Sequence, residues 1–373
     1  MQSPSTRHDY LDQLKAISIC LVIFWHLRPL RLSYLGTSQT SWLDRIPSSL
    51  IYIFNHQIAL LAVPSFILIS LFLLFEKSTQ NKSYPLKRIS RIAFLYIFWT
   101  TIQTTIYYLF IYRNASVSEN AQKVPNISIE TVLLRGGPKL PLIGESVFYF
   151  LSILLCLTIL AVIYHRMLCS RLFKIIDFEK VSGLLVITAL VLFEAEIWYE
   201  KPSPYWALKS FLVYIPIAYL LKQHIDIFAT RYSTLLGMIY CLFSIHDIFL
   251  ESNGVPLGLY SRISIVAGSV WLFCVLYQMS KVKQGFYIFP QQLATFTAKY
   301  SLGIFSLHQY AQLIILLIFS SVIQTKTKGI WIPISGLGIS LNIFSVVVYI
   351  FTVVLTFAAV FAIARTPLKK IVS

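Results

Sequence analysis

The chain has 373 residues, of which 57% are hydrophobic and only 12% are charged, and its mean hydropathy is +0.72. A soluble protein of this length does not have this balance, whereas an integral membrane protein does. A formal net charge of +16 is also typical of nucleic-acid-binding proteins. However, the basic residues form short clusters between apolar runs, a pattern typical of cytoplasmic loops that face anionic lipid. We therefore expect a lipid bilayer as partner and no nucleic acid.

Apolar runs of about 20 residues predict ten membrane-spanning helices. The predicted spans are 12–30, 50–75, 91–112, 146–165, 182–199, 206–222, 232–250, 260–280, 300–323 and 337–364. An even number places both termini on one side, and the distribution of Lys and Arg places that side in the cytoplasm. The expected fold is an all-α bundle of about ten transmembrane helices in the cell membrane, without a separate soluble domain. This membrane domain covers 9–366, and short cytoplasmic tails cover 1–8 and 367–373.

The cysteines and the N-terminus indicate neither a disulfide framework nor a cleaved signal. Four of the five cysteines lie in apolar runs, Cys169 lies in a basic loop, and their spacing is not that of metal ligands. The first apolar stretch contains Lys15 and has no small-residue cleavage site at its end. We expect no bound metal and a first helix that is retained.

The first predicted helix carries two ionisable residues, Lys15 and His26, eleven positions apart. At about 100° and 1.5 Å per residue they share one helix face and lie about 16 Å apart along the axis. Ionisable groups inside a membrane span are costly and often functional. His26 is either a general base or a histidine hydrogen-bonded between helices. Lys15 either contacts a ligand or extends to the lipid headgroups.

Two arginines at the start of the third predicted span, Arg88 and Arg91, lie three positions apart and therefore share a helix face. Guanidinium groups at a helix N-terminus suit the phosphates of a nucleotide-like ligand that approaches from the cytoplasm. The alternative is a positively charged anchor on the cytoplasmic side. Later in the chain, His308 lies within the ninth span and is followed by Gln309. A histidine there is costly in lipid, so we expect it to face the interior of the protein.

Five segments in the same order resemble the acyltransferase family three membrane proteins. The lysine, ten residues and histidine from Lys15 to His26 are similar to the arginine-ten-histidine signature of that family. The paired arginines of Arg88-Ile-Ser-Arg91 match another motif. The other three segments are Val63–Ser70, Gly144–Leu151 and Ser301–His308. The resemblance covers about 9–364, and its main departure is Lys15, which keeps the charge of an arginine but lacks its bidentate fork.

The resemblance implies a membrane enzyme that moves an acetyl or succinyl group from cytoplasmic acyl-coenzyme A to a sugar hydroxyl of an extracytoplasmic glycan or glycolipid. In that reading Lys15, Arg88 and Arg91 bind the coenzyme, His26 is the base or the acyl carrier, and His308 assists. Lysine at the first motif position is similar to the subset that O-acetylates exopolysaccharides such as poly-N-acetylglucosamine. A polysaccharide synthase is a possible partner. The alternative is a polysaccharide exporter or flippase without acyl chemistry.

Overall fold

The computed structural model describes residues 9–27, 32–34, 50–107, 148–169, 177–281, 288–322, 331–334 and 339–372. The chain forms two compact units, each considered by itself. Unit 1 combines the two ends of the chain, residues 1–62 and 287–373, and unit 2 is the middle, residues 63–286. The long predicted connection at about 113–145, with its sequence motifs, lies outside the described residues.

Unit 1 contains four helices longer than eight residues among its described residues. They are α1 (Asp9–Leu27), α10 (Gln291–Lys299), α11 (Ser301–Val322) and α12 (Ile343–Ala364). A π-helical turn at Phe54–Ile58 and a 3₁₀ turn at Ala59–Leu61 precede the first helix of unit 2. A second 3₁₀ helix, Pro367–Ile371, follows α12 and is capped by the Thr366 hydroxyl, which accepts from the Leu368 N–H.

Unit 2 is built from helices only, among the residues described for it. They are α2 (Ala62–Gln80), α3 (Tyr84–Tyr107), α4 (Tyr149–Cys169), α5 (Phe178–Trp198), α6 (Lys209–Leu212), α7 (Tyr214–Ile227), α8 (Ser233–Ser252) and α9 (Ile263–Lys281). A π-helical turn, Phe228–Tyr232, joins α7 to α8. Helix α5 begins where the Asp177 side chain accepts hydrogen bonds from the N–H groups of Glu179 and Lys180, which satisfies donors that have no partner in the first turn.

A small antiparallel sheet in unit 1 was not predicted from the sequence. Its strands β1 (Leu32–Tyr34), β2 (Trp331–Ile334) and β3 (Ile339–Asn342) lie in the order β1-β3-β2, and Leu32 pairs with Leu341. The tenth predicted span began at 337, but helix α12 begins only at Ile343. The start was predicted too early because Ile339–Asn342 alternates apolar and polar residues, which is the period of a strand rather than of a helix.

The prediction of a helical membrane protein is confirmed. Within the described part of the chain, seven helical segments are long and apolar enough to cross a membrane. They are Asp9–Leu27, Leu50–Gln80, Tyr149–Met167, Phe178–Trp198, Lys209–Ser252, Ile263–Lys281 and Ser345–Ala364. Each of the ten predicted spans overlaps helix in the structure, and Lys209–Ser252 covers two of them. The count of ten spans and the lack of a separate soluble domain stay predictions.

The C-terminal segment packs into unit 1. The N–H of Gly303, in the first turn of α11, donates to the carbonyl of Val372 over 3.1 Å, and the Val372 side chain is fully buried. A Cβ atom at position 303 would lie 2.5 Å from the Val372 Cβ, so only glycine allows this approach. Residues 367–372, predicted as part of a short tail, therefore pack against the helix that carries His308. Their cytoplasmic location stays a prediction.

Candidate functional site

Helix α1 carries both Lys15 and His26, and both side chains are half-buried. Its first turns are held by polar contacts to the start of α10. The Gln13 amide donates to the Phe289 carbonyl over 2.8 Å and accepts from the Phe289 N–H over 3.0 Å. The Gln291 amide donates to Asp9 over 2.8 Å. These contacts fix the rotation of α1 about its axis, and with it the direction of the face that carries Lys15 and His26.

The structure brings His26 and His308 together. Their imidazole rings lie 5.2 Å apart between centroids, with their planes inclined by 42°. His26 comes from the last turn of α1, and His308 comes from the third turn of α11, more than 280 positions later in the chain. His308 is completely buried, whereas His26 remains partly accessible.

The backbone contact of His308 indicates which of its two ring nitrogens carries the hydrogen. Its Nδ1 lies 2.6 Å from the backbone carbonyl of Phe305. A carbonyl oxygen can only accept a hydrogen bond, so Nδ1 carries the hydrogen. In the neutral imidazole, Nε2 is then a lone-pair acceptor. Nε2 is buried and has no hydrogen-bond partner among the described residues, so it remains available to accept a proton or a donor group.

An aromatic group surrounds the end of α1 that carries His26. Phe24 contacts Phe54 edge-on at 4.7 Å between ring centroids, and Trp25 contacts His56 edge-on at 5.8 Å. Tyr52 stacks on His56 at 4.4 Å with an angle of 17° between the rings. The π-helical turn Phe54–Ile58 thus lies directly beside the residues that precede His26. Single π-helical turns occur frequently at functional sites.

In unit 2 the structure joins two of the family-like motifs. The Arg88 guanidinium donates through Nη2 to the hydroxyl of Ser70, the last residue of the Val63–Ser70 segment. Its Nη1 lies 3.4 Å from the Tyr84 hydroxyl, and its buried Nε has no hydrogen-bond partner within the described ranges. Arg91 is exposed, and its charge acts on that of Arg88. Two neighbouring cations that repel one another are stabilised by a bound anion.

A second buried polar group in unit 2 is an ion pair. Asp247 on α8 is 1% exposed and Arg262, just before α9, is 2% exposed, and their nearest N and O atoms are 3.5 Å apart. The Ser264 hydroxyl donates to the same carboxylate, and Arg262 donates to the Leu259 carbonyl over 3.3 Å. Glu194, on α5, interacts electrostatically with His246 and Asp247. Arg262 therefore lies in the interior of unit 2.

The structure therefore brings His26 and His308 together in unit 1, and Arg88 and Arg91 together in unit 2. It places Lys15 on the same helix as His26 and three turns away from it. Sequence reasoning missed Asn55 and His56, although the sequence contained a signal. Asn55-His56-Gln57 is a run of three polar residues inside an otherwise apolar predicted span.

No three His, Cys, Asp or Glu side chains in the described part of the chain are grouped so that they could hold a metal ion. In unit 1 the described acidic residues, Asp9 and Asp12, lie in the first turn of α1, at the end opposite to His26. Imidazoles such as those of His26 and His308 can exchange protons or carry an acyl group.

Comparison with known proteins gives one match. The family model described as an acyltransferase domain matches residues 8–365, which is nearly the whole chain. No curated protein and no solved structure matches the chain.

Proposed function

The chain belongs to acyltransferase family three, and from this premise we propose that it is an O-acyltransferase of the cell membrane. The proposed donor is cytoplasmic acyl-coenzyme A that carries an acetyl or a succinyl group. The proposed acceptor is a sugar hydroxyl of an extracytoplasmic glycan. The observation that carries the proposal is the pair of imidazoles, His26 and His308, 5.2 Å apart on two helices of one unit.

The reaction needs a group that removes a proton from the acceptor hydroxyl. The hydroxyl oxygen attacks the thioester carbon, its proton passes to a histidine nitrogen, and the carbon–sulfur bond breaks. The thiolate of the coenzyme leaves and takes up the proton, so that an ester and a free thiol are formed. His26 is proposed to be either this base or a transient carrier of the acyl group.

His308 is proposed to assist His26. Its Nδ1 is engaged by the Phe305 carbonyl, so its Nε2 is the atom that can accept a proton. The two rings lie 5.2 Å apart between centroids, so the pair can hold the proton of the hydroxyl and return it to the thiolate.

The charged end of the donor is assigned to Lys15, Arg88 and Arg91. Arg88 keeps an Nε donor without a partner among the described residues, and Arg91 adds a second guanidinium on the same helix face. Arginine pairs bind phosphate groups through charge-assisted hydrogen bonds, as the pyrophosphate of coenzyme A requires. For Lys15, in unit 1, contact with the donor is proposed separately, from its place on the same helix as His26.

The experiment uses the full-length protein in lipid vesicles. The donors are acetyl-coenzyme A and succinyl-coenzyme A, each labelled in the acyl group, and the acceptor is surface glycan isolated from cells that lack the protein. We expect the amount of free coenzyme A to equal the amount of label on the glycan. Mass spectrometry locates the labelled hydroxyl. Glycan that crosses the membrane unlabelled, driven by an ion gradient, would instead establish the exporter and defeat the proposal.

A further inference from the structure

The π-helical turn Phe54–Ile58 lies beside the end of α1 that carries His26. The backbone N–H of Ala59 donates to the Phe54 carbonyl, five positions back, which makes the turn one residue wider than an α-helical turn. Phe54 contacts Phe24 and His56 contacts Trp25. Asn55 stands between these two contact residues, about 3.8 Å from each along the backbone, and therefore lies at the level of the residues that precede His26.

Polar side chains in this turn are costly. The turn belongs to the helical segment Leu50–Gln80, which is long and apolar enough to cross a membrane, and buried polar groups in such a segment need a partner. The Oδ1 atom of Asn55 is buried and accepts no hydrogen bond from the part of the chain that the structure describes. An amide oxygen in this state binds a hydroxyl donor from a ligand, since a carbonyl oxygen accepts two hydrogen bonds.

The aromatic neighbours of the turn add an apolar surface. Tyr52 stacks on His56 at 4.4 Å, and Trp25 closes the group edge-on at 5.8 Å. Aromatic rings of this kind combine an apolar face with polar atoms at one end. A sugar ring has the same division, with C–H groups on its faces and hydroxyls around its edge. The turn therefore offers one surface for the ring face and one amide for the hydroxyls.

The position along α1 distinguishes acceptor from donor. The contacts of the turn are to Phe24 and Trp25, whereas Lys15, assigned to the charged end of the donor, lies about 15 Å away along the helix axis. A phosphate-binding role would also need cations, and the turn contains none apart from the His56 imidazole. The chemistry of the turn suits a neutral polyol and does not suit a phosphate.

We propose that the turn Phe54–Ile58 is the subsite for the acceptor sugar, in which the Asn55 amide binds a hydroxyl of the ring and His56 with Tyr52 and Trp25 contacts its face. This inference rests on the proposed function, because it names the residues that hold the acceptor of that reaction. Asn55 and His56 take no part in proton transfer. They determine which sugar binds and which of its hydroxyls reaches His26.

The test measures KM for each substrate separately, in vesicles that contain the full-length protein. The acceptor is glycan isolated from cells that lack the protein, and the donor is the acyl-coenzyme A that the wild-type protein uses. For Asn55→Ala we expect KM for the glycan to rise by at least about tenfold, and KM for the donor to stay within about twofold. The matched control is Asn253→Ala, at the exposed C-terminal end of α8, which should leave both values unchanged.

His56 is tested by two variants. His56→Phe keeps a ring that can stack on Tyr52 and should leave KM for the glycan near the wild-type value, whereas His56→Ala should raise it. A large loss of turnover in His56→Phe at saturating glycan would show that the imidazole takes part in the chemistry, and this would overturn the subsite role given to it. If Asn55→Ala does not insert into membranes, Asn55→Gln, which keeps the amide but moves it by one methylene, takes its place.

The outcomes distinguish a failure of the acceptor subsite from a failure of the transfer reaction. An unchanged KM for the glycan in the Asn55 variant, or an equal rise in KM for the donor, overturns the acceptor subsite while the transfer reaction stands. A wild-type protein that moves no acyl group to glycan from either donor defeats the proposed function itself. Only a selective loss of acceptor binding, in a variant that still binds the donor, supports the inference.

Discussion

Two basic side chains are deeply buried, His308 in unit 1 and Arg262 in unit 2. They differ in the partners that their nitrogen atoms have. Arg262 has a carboxylate at 3.5 Å and a backbone carbonyl at 3.3 Å, and a serine hydroxyl completes the hydrogen bonding of its partner Asp247. His308 has its Nδ1 against the Phe305 carbonyl, its Nε2 has no hydrogen-bond partner among the described residues, and its ring lies beside that of His26. The first arrangement pairs a buried charge with an opposite charge. The second leaves a basic atom available to a substrate.

The Asp247–Arg262 ion pair is buried in a way that stabilises the fold, whereas the histidines are buried in a way that suits catalysis. A buried ion pair is costly to desolvate, and it persists only when each member is held by a partner. A catalytic base needs the reverse, because a nitrogen already engaged by the protein cannot take a proton from a hydroxyl. The two regions therefore predict different responses to mutation. Changes at the histidines should affect turnover, and changes at the ion pair should affect stability.

The largest effect is expected at His26. His26→Ala should lower acyl transfer by about 10²–10⁴-fold, the usual loss when a general base is removed, with membrane insertion unchanged. Transfer is measured as labelled glycan per unit of folded protein. A well-inserted variant with near-normal turnover would contradict the role of this histidine.

The roles of the two nitrogens of His308 can be separated by a substitution that keeps only the position of Nδ1. The amide nitrogen of Asn lies near the place of Nδ1, so His308→Asn can still donate to the Phe305 carbonyl but lacks Nε2. We expect it to remain folded and to lose about 10²-fold or more in turnover, because no proton acceptor remains. Equal turnover in this variant and the wild type would show that the bond to Phe305 is all that His308 supplies.

The ion pair should show the opposite behaviour. Asp247→Ala leaves Arg262 without its carboxylate, and we expect the free energy of unfolding to fall by about 3–5 kcal/mol. The double variant Asp247→Leu with Arg262→Met should recover most of this loss, since an apolar pair avoids the desolvation of two charges. The measurement is the unfolding of detergent-solubilised protein, with transfer activity per folded molecule as the control. A double variant that folds well but transfers no acyl group would show that this ion pair takes part in the reaction.

At Arg88 the expected effect is intermediate, because this side chain combines both kinds of contact. Its Nη2 is engaged by Ser70, while its Nε is open among the described residues. Arg88→Ala should weaken binding of coenzyme A by about 1.5–3 kcal/mol through the loss of charge-assisted hydrogen bonds. Binding of pantetheine, which lacks the pyrophosphate and nucleotide, should be unchanged. Equal losses for both ligands would mean that Arg88 does not bind phosphate.

The smallest effect is expected at Lys15. If its ammonium contacts the coenzyme, Lys15→Gln should lose most activity and Lys15→Arg should keep a substantial fraction, since arginine preserves the charge. If it extends only to lipid headgroups, both variants should be active. Activity is compared in detergent, where no lipid phosphate is available. Full activity of Lys15→Gln under these conditions would remove Lys15 from the donor site.

The sequence predicted the helices well because membrane spans are long apolar runs, and a single helix geometry satisfies their backbone. It also selected His26 and His308 individually, because ionisable residues stand out in such runs. It did not predict that their rings meet, since this depends on how α1 and α11 pack. It contained a signal for Asn55 and His56 in the polar run Asn55-His56-Gln57, but none for the π-helical turn that presents them, which depends on a hydrogen bond five positions apart. The strand Ile339–Asn342 was missed because the apolar run of α12 follows it directly, although its partner strand β2 lies only a few positions before it.

Unit 1 is built from the two ends of the chain, so its parts are synthesised at different times. Gln13 and its hydrogen-bond partner Phe289 are separated by 276 positions. A ribosome adds about 5–20 residues per second, so the polar end of α1 waits roughly 15–55 s for its partner after it has been made. During this time Asp9, Asp12 and Gln13 stand at the end of an apolar helix without their final contacts. The histidine pair can form only after α11 has been made, when at least 308 of the 373 residues have been translated.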